Sequence, residues 1–571
     1  MNKMMELDEV AFGNIPPDTV FINGTLFNAL TREFIKGQSI WVKDGIIAYV
    51  GPDSDFSKGL KTRSIDAEGM VLLPGLIEGH THILSQRYSL EEFIKHLIPS
   101  GVTTVITETM ELAIIVGKDG FEYFSKGLEG QPVRIYYTAS PLCGLTPVEE
   151  INALANEEFF SILKDPKCLG IGEIYWGNIF LAGRQGERLK ELVSMALELG
   201  KVVEGHTAGA KGRKLQAYAS LGISSCHEPI TEKEALERLR LGYWVMIREG
   251  GVRKELEGVK GVFKKKIDFR RLALATDGVD SQEFLAEGYL DASLRSALKM
   301  GVPPKLAYQM VTINVAEHFR LDHLIGSLSP GKMADILIIP SPNDFSPKLV
   351  MCGGKIIYED GKSLAEPRKV FFPDHMFDTV KIDTYTFPPV PKKGKVRAIE
   401  LVTRLVTKES IIDLEDPGES NDVIMILAIN RLGSGKAFMG FLKGFGLQRG
   451  AYGTTMSWDM PDMIVVGCDT QSMQTVTGRL KEIRGGGVYA IGKEIVAELP
   501  APLCGVISLK PMETVANEVR KLEECLEKNG VKWEKPILTV DTLGTPAIPN
   551  LRITHHGYVR LKDREILTLE I

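Results

Sequence analysis

Two histidines one residue apart, His80 and His82, close the segment Pro74-Gly75-Leu76-Ile77-Glu78-Gly79-His80-Thr81-His82. In extended backbone, residues i and i+2 face the same side, so both imidazoles can reach one divalent cation. The apolar run Val71-Leu72-Leu73 ahead of them reads as a buried strand that ends in this segment. Other ligand-type residues stand where further apolar strands stop. Glu173 follows Gly170-Ile171-Gly172, His206 follows Val202-Val203-Glu204-Gly205, His227 lies in Ser224-Ser225-Cys226-His227-Glu228, and Asp277 follows Leu274-Ala275-Thr276. Four histidines and two carboxylates are enough for two cations sharing a bridging carboxylate, with Glu173 expected as the bridge. Two cations ~3.5–4 Å apart can hold a bridging hydroxide and lower the pKa of water from ~15.7 towards ~7. Nitrogen and oxygen ligands without thiolates admit Zn, Mn or Fe(II) and do not choose among them. Read singly, each residue has a plainer account, such as a satisfied core histidine or a glutamate paired with an arginine. Jointly they point to metal. His96, His318 and His323 fall on helical stretches and are read as structural.

These residues need a scaffold that brings many strand ends together. From 71 to 325 strands alternate with helices: Gly101–Ile106, Val133–Tyr137, Cys168–Glu173, Lys201–Glu204, Gly242–Ile247 and Leu272–Thr276 are strands, while Gly186–Leu199 and Glu232–Arg240 are helical. Repeated βα units over ~250 residues predict a (β/α)8 TIM barrel, whose functional residues lie at the C-terminal ends of its strands. Short strands separated by Asn23-Gly24 and Lys43-Asp44-Gly45 precede the barrel, and similar strands with glycine turns follow it. Neither set can bury enough surface alone, so residues 1–70 and 326–385 are expected to form one composite β-sandwich domain. A stretch rich in Pro and Lys, 360–395, marks a boundary. Residues 396–571 read as a C-terminal α/β domain with a helix over Met512–Lys528, which places Val515, Val519, Leu522 and Leu526 on one face. Arg484-Gly485-Gly486-Gly487-Val488 lacks the Lys-Ser/Thr of a phosphate loop and reads as a tight turn before a strand.

A chain of 571 residues exceeds one core, and two to four domains are expected. The net charge of -6, with both signs interspersed, carries no nucleic-acid footprint. No apolar run is long enough to span a bilayer, and Met1–Asp8 lacks the apolar core of a secretion signal. Seven scattered cysteines without a CxxC pair suit reduced thiols in a cytoplasmic protein.

The sequence resembles the amidohydrolase superfamily in His80-Thr81-His82, Thr312-Ile313-Asn314-Val315-Ala316 and Gly326-Ser327-Leu328-Ser329-Pro330-Gly331-Lys332-Met333-Ala334-Asp335. It is more closely similar to bacterial and archaeal adenine deaminases over nearly its whole length. Val245-Met246-Ile247-Arg248-Glu249-Gly250 and Leu442-Lys443-Gly444-Phe445-Gly446-Leu447-Gln448-Arg449-Gly450-Ala451 both look like that family's segments. The resemblance implies a metal shell of His80, His82, Glu173, His206, His227 and Asp277, with a glutamate in place of a carboxylated lysine ending the fourth strand. It also implies that Asp277 shuttles the proton from water to the leaving group.

Several family segments are altered. The family's Asp-Pro-His-Glu is Glu108-Thr109-Met110-Glu111 here, which keeps Glu111. Its Asn-Arg-His is Asn430-Arg431-Leu432, and its His-Asp-Ser-His-Asn is Trp458-Asp459-Met460-Pro461-Asp462, which keeps Asp459. Removing polar partners from a site built to hydrogen-bond a purine changes its specificity strongly. The expected reaction is therefore hydrolysis of a C–N bond in a cyclic amidine or amide, a purine-like small heterocycle other than adenine. Asp277 and Glu173 are the catalytic candidates. Glu111, Arg248, Glu249, Trp458 and Asp459 are the substrate-binding candidates, with Trp458 placed to stack on a ring. Loss of ammonia would make the chain a deaminase, and ring opening a cyclic amidohydrolase. A genuine adenine deaminase and a non-catalytic binding subunit are the alternatives. The expected assembly is a homo-oligomer, a dimer or larger.

Overall fold

The computed structural model describes residues 6–52, 56, 59, 61–141, 154–548 and 550–571, without the side chains of 111–113. Eight parallel strands form the central barrel. Leu76–Thr81, Val102–Thr107, Arg134–Ala139, Cys168–Tyr175 and Val202–His206 make one sheet, and Ser225–Cys226, Trp244–Arg248 and Leu272–Ala275 make a second. The two sheets meet at both edges. Gly205 N–H donates to Ser225 Oγ (3.1 Å) at one junction. At the other, Asp277 N–H donates to the His80 carbonyl (3.0 Å) and Thr276 N–H to the buried Glu78 carboxylate (3.1 Å). The strands are buried almost throughout on both faces, as expected of parallel strands covered by helices. Ile77, Ile106, Val202, Met246 and Ala273 pack with Val315 and Phe319 in a buried cluster of their own, the filled interior such a barrel requires. The sixth strand has only two residues, too few for a periodic signal. The outer helices include Arg184–Glu198 and Glu232–Arg240, the latter capped by Thr231 accepting from Glu234 N–H.

Strands from both sides of the barrel sequence share one nine-stranded sheet. Within it, Val71–Pro74 pairs in parallel with Thr25-Leu26 and antiparallel with Ile336–Ile339. The run Val71-Leu72-Leu73 is thus not part of the first barrel strand; the chain changes sheet at Gly75, whose N–H donates to the Asp335 carbonyl (3.0 Å). Alternation sorts these strands between two cores. Leu72, Ile336 and Ile338 face a core within the β-domain, while Val71, Leu73, Leu337 and Ile339 belong to the large core that includes the barrel.

The C-terminal part holds an eight-stranded sheet between Lys395 and Pro500 and a small three-stranded sheet at its end. Met512–Lys528 is a helix, and Val515, Val519, Leu522 and Leu526 are all buried on it. Each such burial contributes ~1.5–3 kcal/mol. Arg484 and Gly485, both at positive φ, turn the chain into the strand Gly486–Ile491. This part docks on the barrel through buried and half-buried polar contacts. Arg87 pairs with Asp541, and Lys535 donates to Asp280 (2.8 Å) and to the Gly251 carbonyl (2.7 Å). Among the described residues no helix is long and apolar enough to cross a membrane.

Candidate metal centre and active site

At the C-terminal mouth of the barrel the strand ends bring the six predicted ligands together. Glu173 Oε1 lies 3.2 Å from His80 Nε2, 3.0 Å from His82 Nε2 and 3.5 Å from His227 Nε2. Its other oxygen is 3.8 Å from His206 Nε2. Asp277 Oδ1 is 3.4 Å from both His80 and His82. Ligand atoms of His80, Glu173, His227 and Asp277 fall within 4.8 Å of one another, as do those of His206, His227 and Glu228. The two groups share His227, and Glu173 faces both. All of these side chains are buried.

The electrostatics are those of a site built for cations. Burial works against ionising Glu173, but the surrounding histidines, His227 foremost, hold it well below the usual carboxylate range. Burial likewise opposes Asp277, and His80, His82 and Arg248 more than offset it. Burial would also discharge His80, yet Asp277 and Glu173 push it up to about 10. His227 goes the other way, down to about 4, because it is buried and beside His80. The nitrogens and oxygens crowd together, and among these close pairs only His82 Nε2 and Glu173 Oε1 make an aligned hydrogen bond (3.0 Å). His80 Nε2 and Glu228 Oε1 are fully buried, yet neither makes an aligned hydrogen bond within the described structure. Lone pairs that converge on a common point instead of on one another suit coordination of a metal ion.

Two carboxylates that the sequence reading does not single out belong to this cluster. Glu228 Oε1 is 3.1 Å from His227 Nε2 and 3.8 Å from His206 Nε2, while Glu228 Oε2 accepts from Thr207 N–H (2.8 Å) and Oγ1 (2.9 Å). Although burial opposes it, His227 and His206 bring Glu228 down to about 2. Glu108 ends the second strand 3.9 Å from His80 Nδ1 and accepts from Thr138 Oγ1 (2.8 Å). Its carboxylate lies against Gly172, where a Cβ would stand 2.0 Å from Glu108 Oε2, so any larger residue before Glu173 would displace the Glu108 carboxylate. Glu108 directly follows the strand Val102–Thr107, whose three threonines dilute the apolar run that marks Glu173.

The predicted substrate-binding residues divide. Arg248 borders the cavity, but Glu255 takes its Nε (2.9 Å) and Nη2 (2.8 Å), and Asp277 Oδ2 takes Nη1 (3.1 Å). It positions Asp277. Glu249 faces a different cavity and accepts from Ser296 Oγ (2.9 Å) and Leu256 N–H (3.1 Å), so it is not brought to this site. The side chain of Glu111 lies outside the described residues. Trp458 and Asp459 both reach the cavity from the C-terminal part, together with Leu405, Val406, Thr542 and Thr545. The Trp458 ring stacks on His82 at 5.5 Å. Asp459 Oδ2 accepts from Tyr175 Oη (3.0 Å) and from Thr545 Oγ1. Asp277 and Asp459 both sit at positive φ, 59° and 62°, an uncommon backbone that aspartate tolerates better than most residues. Of the other altered positions, Leu432 does not border the cavity, Met460 packs on Val559, and Asp462 pairs with His555 Nδ1 (2.8 Å). The cavity of about 130 Å³ is thus walled by the metal-ligand cluster below and the C-terminal part above.

Comparison with known proteins places these parts in a family context. Residues 71–357 match the amidohydrolase family model, and residues 400–565 match the adenine deaminase C-terminal domain. The chain is 31% identical to an adenine deaminase of Clostridium botulinum (strain 657 / Type Ba4), over 99% of this chain and 97% of that one. It is 33% identical to an adenine deaminase of Desulfatibacillum aliphaticivorans, over 96% of each. Among solved structures, the β-aspartyl dipeptidase of Fervidobacterium islandicum AW-1 is similar with 19% identity, covering 61% of this chain and 97% of that one at a TM-score of 0.48.

Proposed function

The chain belongs to the adenine deaminase family of the amidohydrolases and is a hydrolase, and from that premise we propose that it hydrolyses a C–N bond of a purine-like cyclic amidine or amide. The observation that carries this reading is the convergence of His82, Glu173, His206, His227 and Asp277 at the floor of one cavity, with His80 against Glu173 and Asp277 beneath them. The donor set, all imidazole and carboxylate with the buried Glu228 Oε1 aimed inward, fits two divalent ions of manganese, iron or zinc. These six residues would hold them, Glu173 from between and Glu228 as a further oxygen donor on the His206 and His227 side. When bound, such ions acidify water and polarise the carbon under attack.

The protein's own groups supply the remainder. Asp277 is held ionised, with Oδ2 tied to Arg248 and Oδ1 turned towards His80 and His82. It accepts the proton of the attacking water at Oδ1 and returns it to the departing nitrogen, as general base and then general acid. Arg248, clamped in bidentate fashion by Glu255, fixes the direction of that carboxylate. Trp458 offers an aromatic face to a flat ring, and Asp459 accepts from a ring N–H. The C-terminal part covers the mouth and limits access of bulk water.

The altered segment around Trp458 supports a substrate other than adenine. The name its relatives carry favours a second reading, adenine to hypoxanthine and ammonia. Ammonia release from adenine by Mn- or Fe-loaded protein separates the two. The first reading expects a kcat/KM below ~10⁴ M⁻¹s⁻¹, the lower end of the usual enzyme range, with faster turnover of another cyclic nitrogen compound. A value at or above that returns the substrate to adenine.

A further inference from the structure

Two arginines border the cavity, Arg248 at the end of the seventh barrel strand and Arg253 on the loop after it, and their circumstances differ. All three nitrogens of Arg248 are engaged, two by Glu255 and one by Asp277. Arg253 is half-buried in the same wall, yet among the described residues no carboxylate, carbonyl or hydroxyl accepts from its guanidinium. Arg404, a cationic neighbour, is itself committed to Glu534 (3.2 Å) and the Val252 carbonyl (3.1 Å). The carboxylates that act on Arg253 from nearby, Glu255 and Asp277, are the ones already bonded to Arg248, so its partly desolvated guanidinium has room for an anion that arrives with the ligand.

We infer that the heterocycle hydrolysed here carries a carboxylate substituent and that Arg253 receives it. This rests on the proposed hydrolysis and narrows its substrate class. Arg253 is the one uncommitted guanidinium among the described residues around the cavity. A single planar fork matches the geometry and single charge of a carboxylate, where a phosphate brings ~1.5–2 negative charges. The wall formed by Leu405, Val406, Ala547, Ile548 and Trp458 is apolar and takes the ring. Arg253 is thereby a specificity-determining residue that touches the substrate away from the reacting bond.

The test is equilibrium binding, by calorimetry, of ring-matched pairs to the metal-loaded full chain: hydantoin with hydantoin-5-acetate, and adenine with 9-carboxymethyladenine. In at least one pair the carboxylate-bearing member should bind about tenfold tighter or better, the scale of one charged hydrogen-bonded contact. Arg253→Gln should erase that preference while leaving the neutral member's affinity and the metal content unchanged, and Arg253→Lys should keep part of it. Equal binding within both pairs, or a preference that survives Arg253→Gln, overturns the inference and leaves the hydrolase reading standing. Failure of every probe to bind sinks both.

Discussion

Replacing Asp459 with asparagine exchanges one carboxylate oxygen for an amide NH₂ and adds no volume. In the native protein Tyr175 Oη and Thr545 Oγ1 both donate to Oδ2, which fixes the group at the cavity wall. An asparagine can keep its carbonyl towards those hydroxyls, which directs the NH₂ to the position of the second oxygen. A ring N–H that donated to the carboxylate would then meet a donor, and a charged hydrogen bond becomes a donor–donor clash. Such a loss costs ~1.5–3 kcal/mol, which is about ten- to a hundredfold in kcat/KM. Asp459 is not in the ligand cluster, so metal content should be unchanged, and with no cavity created the melting temperature should move little. The assay is steady-state turnover of the best heterocyclic substrate, with metal analysis and thermal unfolding on the same samples. An Asp459→Asn variant indistinguishable from the parent would refute the reasoning and leave Asp459 with a structural role in its loop.

Glu173→Gln removes the charge that lies among four imidazoles and should lower metal content while abolishing turnover; retention of both metals and full activity would exclude a bridging role. The chelated protein should lose stability as pH rises. His80 is raised from ~6.5 towards about 10, so its stabilising contribution is complete below pH ~6.5 and disappears as pH climbs through about 10. His82 is shifted in the same direction. A melting temperature that stays flat between pH 7 and 10 without metal would contradict those ion pairs, whereas metal-loaded protein should show no such fall.

Much of the site is legible in the sequence because its signals are local. His-x-His spacing and ligands at the ends of apolar runs depend only on strand periodicity and donor chemistry, and Glu173, His206 and Asp277 follow from the same rule, whereas the two-residue strand before His227 carries no such signal. Glu249 was legible too, in the opposite sense. It follows Arg248 directly at the end of an extended strand, so when Arg248 faces the cavity Glu249 faces away, towards Ser296. Glu228 acquires its orientation from Thr207, twenty-one residues earlier, and Glu108 from Thr138 and the space beside Gly172. Such partners arise only when the barrel closes. The isolation of Arg253 is likewise a tertiary fact, since nearby Glu255 would pair with it had Arg248 not claimed both oxygens. The strand break at Gly75 is invisible in an apolar run that reads continuously through two different sheets.

The central claim is that the barrel mouth holds two divalent cations on one bridged set of ligands, and the most direct measurement is metal content per chain. Protein purified from manganese- or iron-supplemented cells should carry two ions per chain by elemental analysis. Glu228→Gln and His206→Asn should each reduce the tightly held complement towards one. A parent protein that turns over substrate with one ion or none, or variants that keep both, would contradict the account.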